Sequence, residues 1–96
     1  MDIDDWREKI DKLDGKLLVL LNKRAVCALE IGKIKQATGQ PVYVPDRESA
    51  VIDYLRDLNA GPLSDGAIQR IFRRIIDESR CLEQERGKDG IELEEI

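Results

Sequence analysis

The sequence predicts an all-α protein with three helices per chain, of which the first is very long. Apolar residues recur in steps of three and four along most of the chain, and only three glycine or proline stop signals interrupt them. No segment beyond the three residues "VYV" has the character of a strand. Because only four residues are aromatic, the core must be built mainly from Leu, Ile, Val and Ala.

The first helix is predicted to begin between Asp2 and Asp5, whose carboxylates suit a helix N-terminus. It ends at "ATGQP", where Gly39 suits the position after a helix and the following proline prevents continuation. Gly15 and Gly32 each cost roughly 1 kcal/mol relative to alanine, which indicates close contact with another helix. The apolar positions of this helix include Trp6, Ile10, Leu13, Leu17 and Leu20.

The second helix is predicted to begin with Asp46 as its N-cap and to stop at Gly61–Pro62. The third is predicted to begin after Ser64 as its cap and to end near Gly87. We assign residues 1–86 to one helical domain and residues 87–96 to an acidic tail or linker remnant. The predicted apolar positions are Ala50, Val51, Tyr54, Leu55 and Leu58 on the second helix, and Ile68, Ile71, Phe72, Ile75, Ile76, Ser79 and Leu82 on the third.

The length of the first helix predicts a partner. About 35 residues at 1.5 Å per residue span roughly 50 Å, whereas a compact domain of this size has a radius of gyration of about 13 Å. The overshooting end carries Trp6, Ile10 and Leu13, which need an apolar cover. We therefore expect an intertwined homodimeric helical bundle in which two long helices pack together.

The composition excludes several classes of function. The net charge of −4 argues against nucleic-acid binding, and the absence of histidine removes Ser–His and Cys–His catalytic pairs. Cys27 and Cys81 lack metal-ligand spacing, so we interpret them as small core or near-core residues and expect neither a metal nor a cofactor. No apolar run approaches the ~18 residues of a membrane span, and the acidic N-terminus lacks a signal-peptide segment. We expect a cytoplasmic protein without a membrane or nucleic-acid partner.

Two cations interrupt the apolar stripe of the first helix. Arg24 and Lys35 are eleven residues apart, which is three turns plus about 20°, so they share one face. A buried cation without a partner is costly, so this face must meet either an internal carboxylate or an anionic ligand. Alternatively, both side chains could pack their stems and extend their charged heads into solvent.

Polar residues also extend the stripe of the third helix, where Ser79 and Glu83 follow Phe72 and Ile76 at helical spacing. The second helix opens with Arg47 and Glu48. Together with the two cations, these side chains predict a pocket that suits a small, hydroxylated polyanion. Simpler interpretations also stand: the acidic residues could serve helix capping or the solvated surface, and the serine could bond a preceding carbonyl.

Four separated motifs occur in order at compatible spacings: "RxxIDxLD" near the start, "LLNxR", "EIGxIK" and "DRE". From Asp4 to Gln84 the chain thereby resembles the all-helical class of chorismate mutases. The segment "GPLSDGAIQRIFRRII" is similar to the mutase domain that is fused to prephenate dehydratase in bifunctional enzymes. The resemblance implies either a free-standing mutase or an excised domain, fused to or associated with another enzyme of the aromatic pathway.

The resemblance implies an isomerase of the shikimate pathway that rearranges chorismate to prephenate, without a cofactor, by a unimolecular [3,3] shift. Such a reaction depends on positioning and preorganised electrostatics. By resemblance, Arg24 binds a substrate carboxylate and Lys35 donates to the ether oxygen. Arg7 reaches a carboxylate across the dimer; it is 17 residues, roughly 26 Å, from Arg24 along one helix, too far for one small ligand.

The remaining roles are also implied by the resemblance. Glu48 accepts the substrate's ring hydroxyl, Arg47 closes that side, and Ser79 bonds a carboxylate. Two positions depart from the family pattern. Glu83 stands where many members carry glutamine, so it must be protonated to donate to the ether oxygen. Val44 stands where some members place an aspartate near the substrate hydroxyl, which leaves only backbone contact.

Two rival functions remain open at this point. An isochorismate-pyruvate lyase has nearly the same helices and cations, and it would release pyruvate instead of forming prephenate. A non-enzymatic helical dimer that acts as an interaction or regulatory module would not turn over chorismate. Its melting temperature would also not respond to a dicarboxylate mimic of the transition state.

Overall fold

The computed structural model describes residues 1–88, which form three helices: α1 (Ile3–Thr38), α2 (Pro45–Leu58) and α3 (Asp65–Lys88). The predicted all-α fold with one very long N-terminal helix is confirmed. Residues 89–96, which make up most of the predicted tail of residues 87–96, lie outside the described residues. No helix within residues 1–88 combines the length and the apolar character that a membrane crossing requires.

Both ends of α1 form where the sequence predicts them. Asp2 and Asp5 build a capping box, in which the Asp5 amide donates to Asp2 Oδ1 at 2.9 Å and the Asp2 amide to Asp5 Oδ2 at 3.1 Å. Gly39 ends the helix at φ 73°, a left-handed conformation that side-chain-bearing residues rarely adopt. Its 36 residues should span about 54 Å, close to the longest molecular dimension of 53 Å.

The predicted N-cap of α2 is wrong, because Val44 holds that position and Asp46 lies in the first turn. Pro45 takes the first helical position, since its ring fixes φ near the helical value and it has no N–H that needs a partner. The carboxylate of Asp46 then faces the positive end of the helix dipole. At its other end, α2 stops at Leu58, shortly before the predicted stop at Gly61.

The core is small and takes one residue from each helix: Ala28, Ile52 and Ile76 are each 6% exposed. α3 packs against both other helices. Ile52 was not among the predicted apolar positions, whereas Tyr54 is exposed. The sequence prediction took the apolar residues of α2 as its inward face. The observed inward face also includes a polar residue, so the predicted face was misplaced around the helix. The inward positions of α2 are Glu48, Val51, Ile52 and Leu55.

The start of α3 follows the prediction. The Ala67 amide donates to Ser64 Oγ at 3.1 Å, so the predicted cap is confirmed, and the helix is described as far as Lys88, so its predicted end near Gly87 stays a prediction. α3 approaches α1 at Gly32, where a Cβ atom would lie 3.3 Å from Cγ of Glu83. Close contact is thus confirmed at Gly32, whereas nothing lies within 4 Å of the corresponding position at Gly15 in the single chain.

The first half of α1 is uncovered in the single chain. Every residue from position 1 to position 23 is exposed, including Trp6 at 54% and Leu20 at 59%. The radius of gyration is 16.5 Å, compared with about 12.5 Å for a compact chain of this length. The overshooting helix end predicted from the sequence is therefore present, and its apolar stripe has no contact partner within the described chain.

Candidate active site

A cavity of about 420 Å³ opens between α1, the linker before α2, and the two shorter helices. Seven of the eight predicted site residues line it: Arg24, Lys35, Val44, Arg47, Glu48, Ser79 and Glu83. Apolar walls are supplied by Ala28, Ile31, Val51 and Ile76. Its size suits a small organic molecule.

Arg24 reaches across the cavity from α1 to α3. Its Nη1 donates a hydrogen bond of 2.6 Å to Ser79 Oγ, and that hydroxyl donates in turn to the Ile75 carbonyl at 2.9 Å. Ser79 therefore makes the predicted bond to a preceding carbonyl and, at the same time, holds the guanidinium. The alternative that Arg24 extends into solvent is wrong for this chain.

Lys35 lies deeper in the same cavity, with only 17% of its side chain exposed. Its ammonium donates to the Val42 carbonyl at 3.1 Å and to Glu83 Oε2 at 3.4 Å. The Glu83 side chain is 10% exposed, so it is a cavity residue and not part of the solvated surface. Each group compensates the burial of the other.

Glu48 faces two guanidinium groups of α3. Arg73 Nη1 donates to Glu48 Oε1 at 2.8 Å, and Arg80 Nε lies 3.8 Å from Glu48 Oε2. The side chain of Glu48 is 11% exposed. Its carboxylate therefore does more than complement the helix dipole, because it is largely shielded from solvent and charge-paired in the cavity wall.

Arg80 is a cavity residue that the sequence interpretation missed. It packs over Tyr43, with Cζ 4.7 Å from the ring centroid, and Nη2 donates to Asp77 Oδ1 at 2.7 Å. The hydrogen bond from Arg80 to Asp77 raises the pKa of Arg80 above its usual value, burial opposes this, and the nearby Glu48 charge adds to it. The spacing of positions 73, 77 and 80 on one helix face would have been the signal.

Two cavity arginines are free of carboxylate partners. Among residues 1–85, whose side chains the structure describes, no carboxylate oxygen lies within 4.0 Å of a nitrogen of Arg24 or Arg47. The cavity as a whole is lined by four cationic side chains and two carboxylates, a net charge of +2. Such a cavity should attract a small dianion.

Arg7 is the one predicted site residue outside the cavity. Its side chain is 72% exposed and lies 3.7 Å from Asp4, on the uncovered part of α1. The single chain therefore does not test its predicted role, which requires a second subunit.

The cysteines depart from the prediction, since both Cys27 and Cys81 are exposed. Cys27 lines the cavity, so this part of α1 faces an open space and is not packed against another helix. Within residues 1–85, no three Cys, Asp or Glu side chains are placed to hold a metal ion.

Comparison with known proteins adds independent information. The sequence profile of the family described as "Chorismate mutase type II" matches residues 6–84. The chorismate mutase (Form II) from Thermus thermophilus superimposes with a TM-score of 0.84 at 34% identity, covering 85% of this chain and 93% of that chain. The resemblance inferred from the four sequence motifs is confirmed.

Two curated relatives are named bifunctional chorismate mutase/prephenate dehydratase. The protein of Neisseria gonorrhoeae is 48% identical over 80 residues, which cover 83% of this chain and 21% of the relative. The protein of Pseudomonas aeruginosa is 42% identical over 83 residues, which cover 81% of this chain and 23% of the relative. The chain thus spans about a fifth of the length of these curated relatives.

Proposed function

This chain belongs to the chorismate mutase type II family, and from that premise we propose that it converts chorismate to prephenate in aromatic amino-acid biosynthesis. The observation that carries the proposal is the pair of cavity guanidiniums, Arg24 and Arg47, without carboxylate partners. Chorismate is a dicarboxylate, so its two charges match two guanidiniums that the protein itself leaves uncompensated.

The reaction breaks the ether C–O bond of chorismate and forms a C–C bond within the same molecule. Negative charge grows on the ether oxygen as that bond lengthens, so a fixed donor there stabilises the transition state. Lys35 is this donor in our proposal, because its ammonium is part-buried in the cavity and oriented by the Val42 carbonyl. Arg24, held by Ser79, orients the flexible enolpyruvyl arm through its carboxylate.

Glu83 is the second group beside the ether oxygen. A carboxylate accepts hydrogen bonds only, so Glu83 must carry a proton in the active complex in order to donate.

Glu83→Gln tests this role through kcat for chorismate, because a glutamine amide donates a hydrogen bond without having to take up a proton. We expect this variant to have a kcat at least equal to that of the wild type, whereas Glu83→Leu, which cannot donate, should lower kcat about 100-fold. Glu85→Gln changes an exposed carboxyl on the same helix and should retain the wild-type kcat. A folded Glu83→Leu variant with a wild-type kcat would remove Glu83 from the mechanism.

We propose a homodimer as the active form, with Arg7 entering the cavity of the partner subunit. The exposed apolar stripe of α1 supports this, since Trp6, Leu13, Leu17 and Leu20 are each more than half exposed in one chain. Burying one such side chain stabilises an assembly by about 1.5–3 kcal/mol. A second α1 helix offers the same stripe in return, which is the requirement of a two-fold interface.

The direct experiment adds chorismate to the purified chain and identifies the product. Prephenate formation supports the proposal, whereas release of pyruvate from isochorismate, without prephenate from chorismate, would assign the chain to the lyases. A non-enzymatic module would consume neither substrate. A dicarboxylate mimic of the transition state should also raise the melting temperature. At a concentration one hundred times its Kd, such a ligand raises the free energy of unfolding by about 2.7 kcal/mol.

A further inference from the structure

We infer that Arg80 is a positioning residue: together with Arg73 it holds the Glu48 carboxylate so that one oxygen stays free to accept the substrate hydroxyl. The inference rests on the proposed function. Neither the sequence motifs nor the family resemblance singled out this residue.

The two oxygens of Glu48 are used differently. Oε1 accepts a hydrogen bond of 2.8 Å from Arg73. Arg80 Nε lies 3.8 Å from Oε2, which is close enough for charge attraction but too long for a hydrogen bond. Glu48 lines the cavity, and among the described side chains no donor is hydrogen-bonded to Oε2, so this oxygen is an available acceptor.

Two contacts hold Arg80 away from Oε2. Its Nη2 donates to Asp77 at 2.7 Å, and its Cζ lies over the ring of Tyr43, 4.7 Å from the ring centroid. The first contact comes from α3 itself and the second from the linker. The guanidinium is thereby held at a distance from which its charge attracts the Glu48 carboxylate, while Oε2 receives no hydrogen bond from it.

The carboxylate of Glu48 is 11% exposed, so one guanidinium on one oxygen would leave the other oxygen poorly compensated. Arg80 supplies this compensation from a position where 26% of its side chain is exposed. It acts through Glu48, and we assign it no contact with the reacting atoms.

A double-mutant cycle between Arg80→Leu and Glu48→Gln tests the inference, with kcat/KM for chorismate as the readout. In the wild-type background, Arg80→Leu should lower kcat/KM about 10- to 30-fold, whereas in the Glu48→Gln background it should change it less than about twofold. Arg80→Lys, which keeps the charge, should recover part of the loss and can replace Arg80→Leu in the cycle if the latter melts below the assay temperature. The matched control is Arg74→Leu, an arginine of the same helix that is 78% exposed and should leave kcat/KM unchanged.

The outcomes distinguish the role of Arg80 from the proposed function. Losses of equal size in both backgrounds, or no loss in either, would overturn the role of Arg80 while leaving the proposed function in place. A merely structural role in fixing the linker predicts such additive losses, and it also predicts that Tyr43→Leu reproduces the whole effect of Arg80→Leu. A wild-type chain that forms no prephenate would overturn the proposed function, and this inference with it.

Discussion

Replacing Lys35 with alanine is expected to lower kcat for chorismate by about a thousandfold, equivalent to roughly 4 kcal/mol of transition-state stabilisation. The reason is that the ammonium is a part-buried donor in the cavity, fixed by Val42 and Glu83 before the substrate arrives. A donor that is already oriented requires no reorganisation during the reaction, so its removal should reduce kcat more than it raises KM.

Lys33→Ala is the matched control, since this lysine lies two residues away on the same helix, is 54% exposed and pairs only with Glu30. Its kcat should stay within about twofold of the wild type. Melting curves should accompany the assay, because Lys35→Ala leaves the Glu83 carboxylate, 10% exposed, without its cation. A folded Lys35→Ala variant with near-normal kcat would exclude Lys35 as the donor.

The second large effect is expected from Arg7→Ala and Arg24→Ala, which should each be nearly inactive alone and active when mixed. In the proposed dimer each site takes Arg24 from one chain and Arg7 from the other. A mixed dimer of the two variants therefore contains one complete site and one doubly defective site. Random exchange of subunits should restore about a quarter of the wild-type activity per chain.

Subunit exchange is followed by assaying the mixture after partial denaturation and refolding, with each variant treated alone in parallel. Lys12→Ala, an exposed neighbour of Arg7 that is 74% exposed and pairs with Glu8, should be fully active throughout. An unchanged, low activity after proven exchange would mean that Arg7 does not serve the site of the other subunit.

How far the sequence predicts this structure depends on which interactions determine each feature. Helix bounds follow local chemistry, so the capping box at Asp2 and the left-handed Gly39 were predictable. The start of α2 was not, because Pro45 and Asp46 are both suitable N-terminal residues and only the backbone path decides which position each takes. The inward face of α2 was misplaced for a related reason: Glu48 lies on that face because it pairs with α3, and a search for apolar residues overlooks it.

The residues of the candidate site also differ in whether the local sequence or the tertiary packing identifies them. Arg24 and Lys35 stand out because they interrupt an apolar stripe, and the structure places both in the cavity. Arg80 stands in a charged run, where its helical spacing from Arg73 and Asp77 is the one signal in the sequence, and that spacing alone does not distinguish it from a solvated arginine. Its contacts with Tyr43 and Glu48 join segments that are far apart in sequence, and such contacts are fixed by tertiary packing alone.

The acceptor that Lys35 uses in the linker is a peptide carbonyl, which every amino acid carries. Exchanging the side chain at position 42 therefore leaves that partner where it is. Adding or deleting one residue between Gly39 and Val44 would instead carry the oxygen away from the ammonium. Selection on this stretch should accordingly fix its length more strictly than its composition.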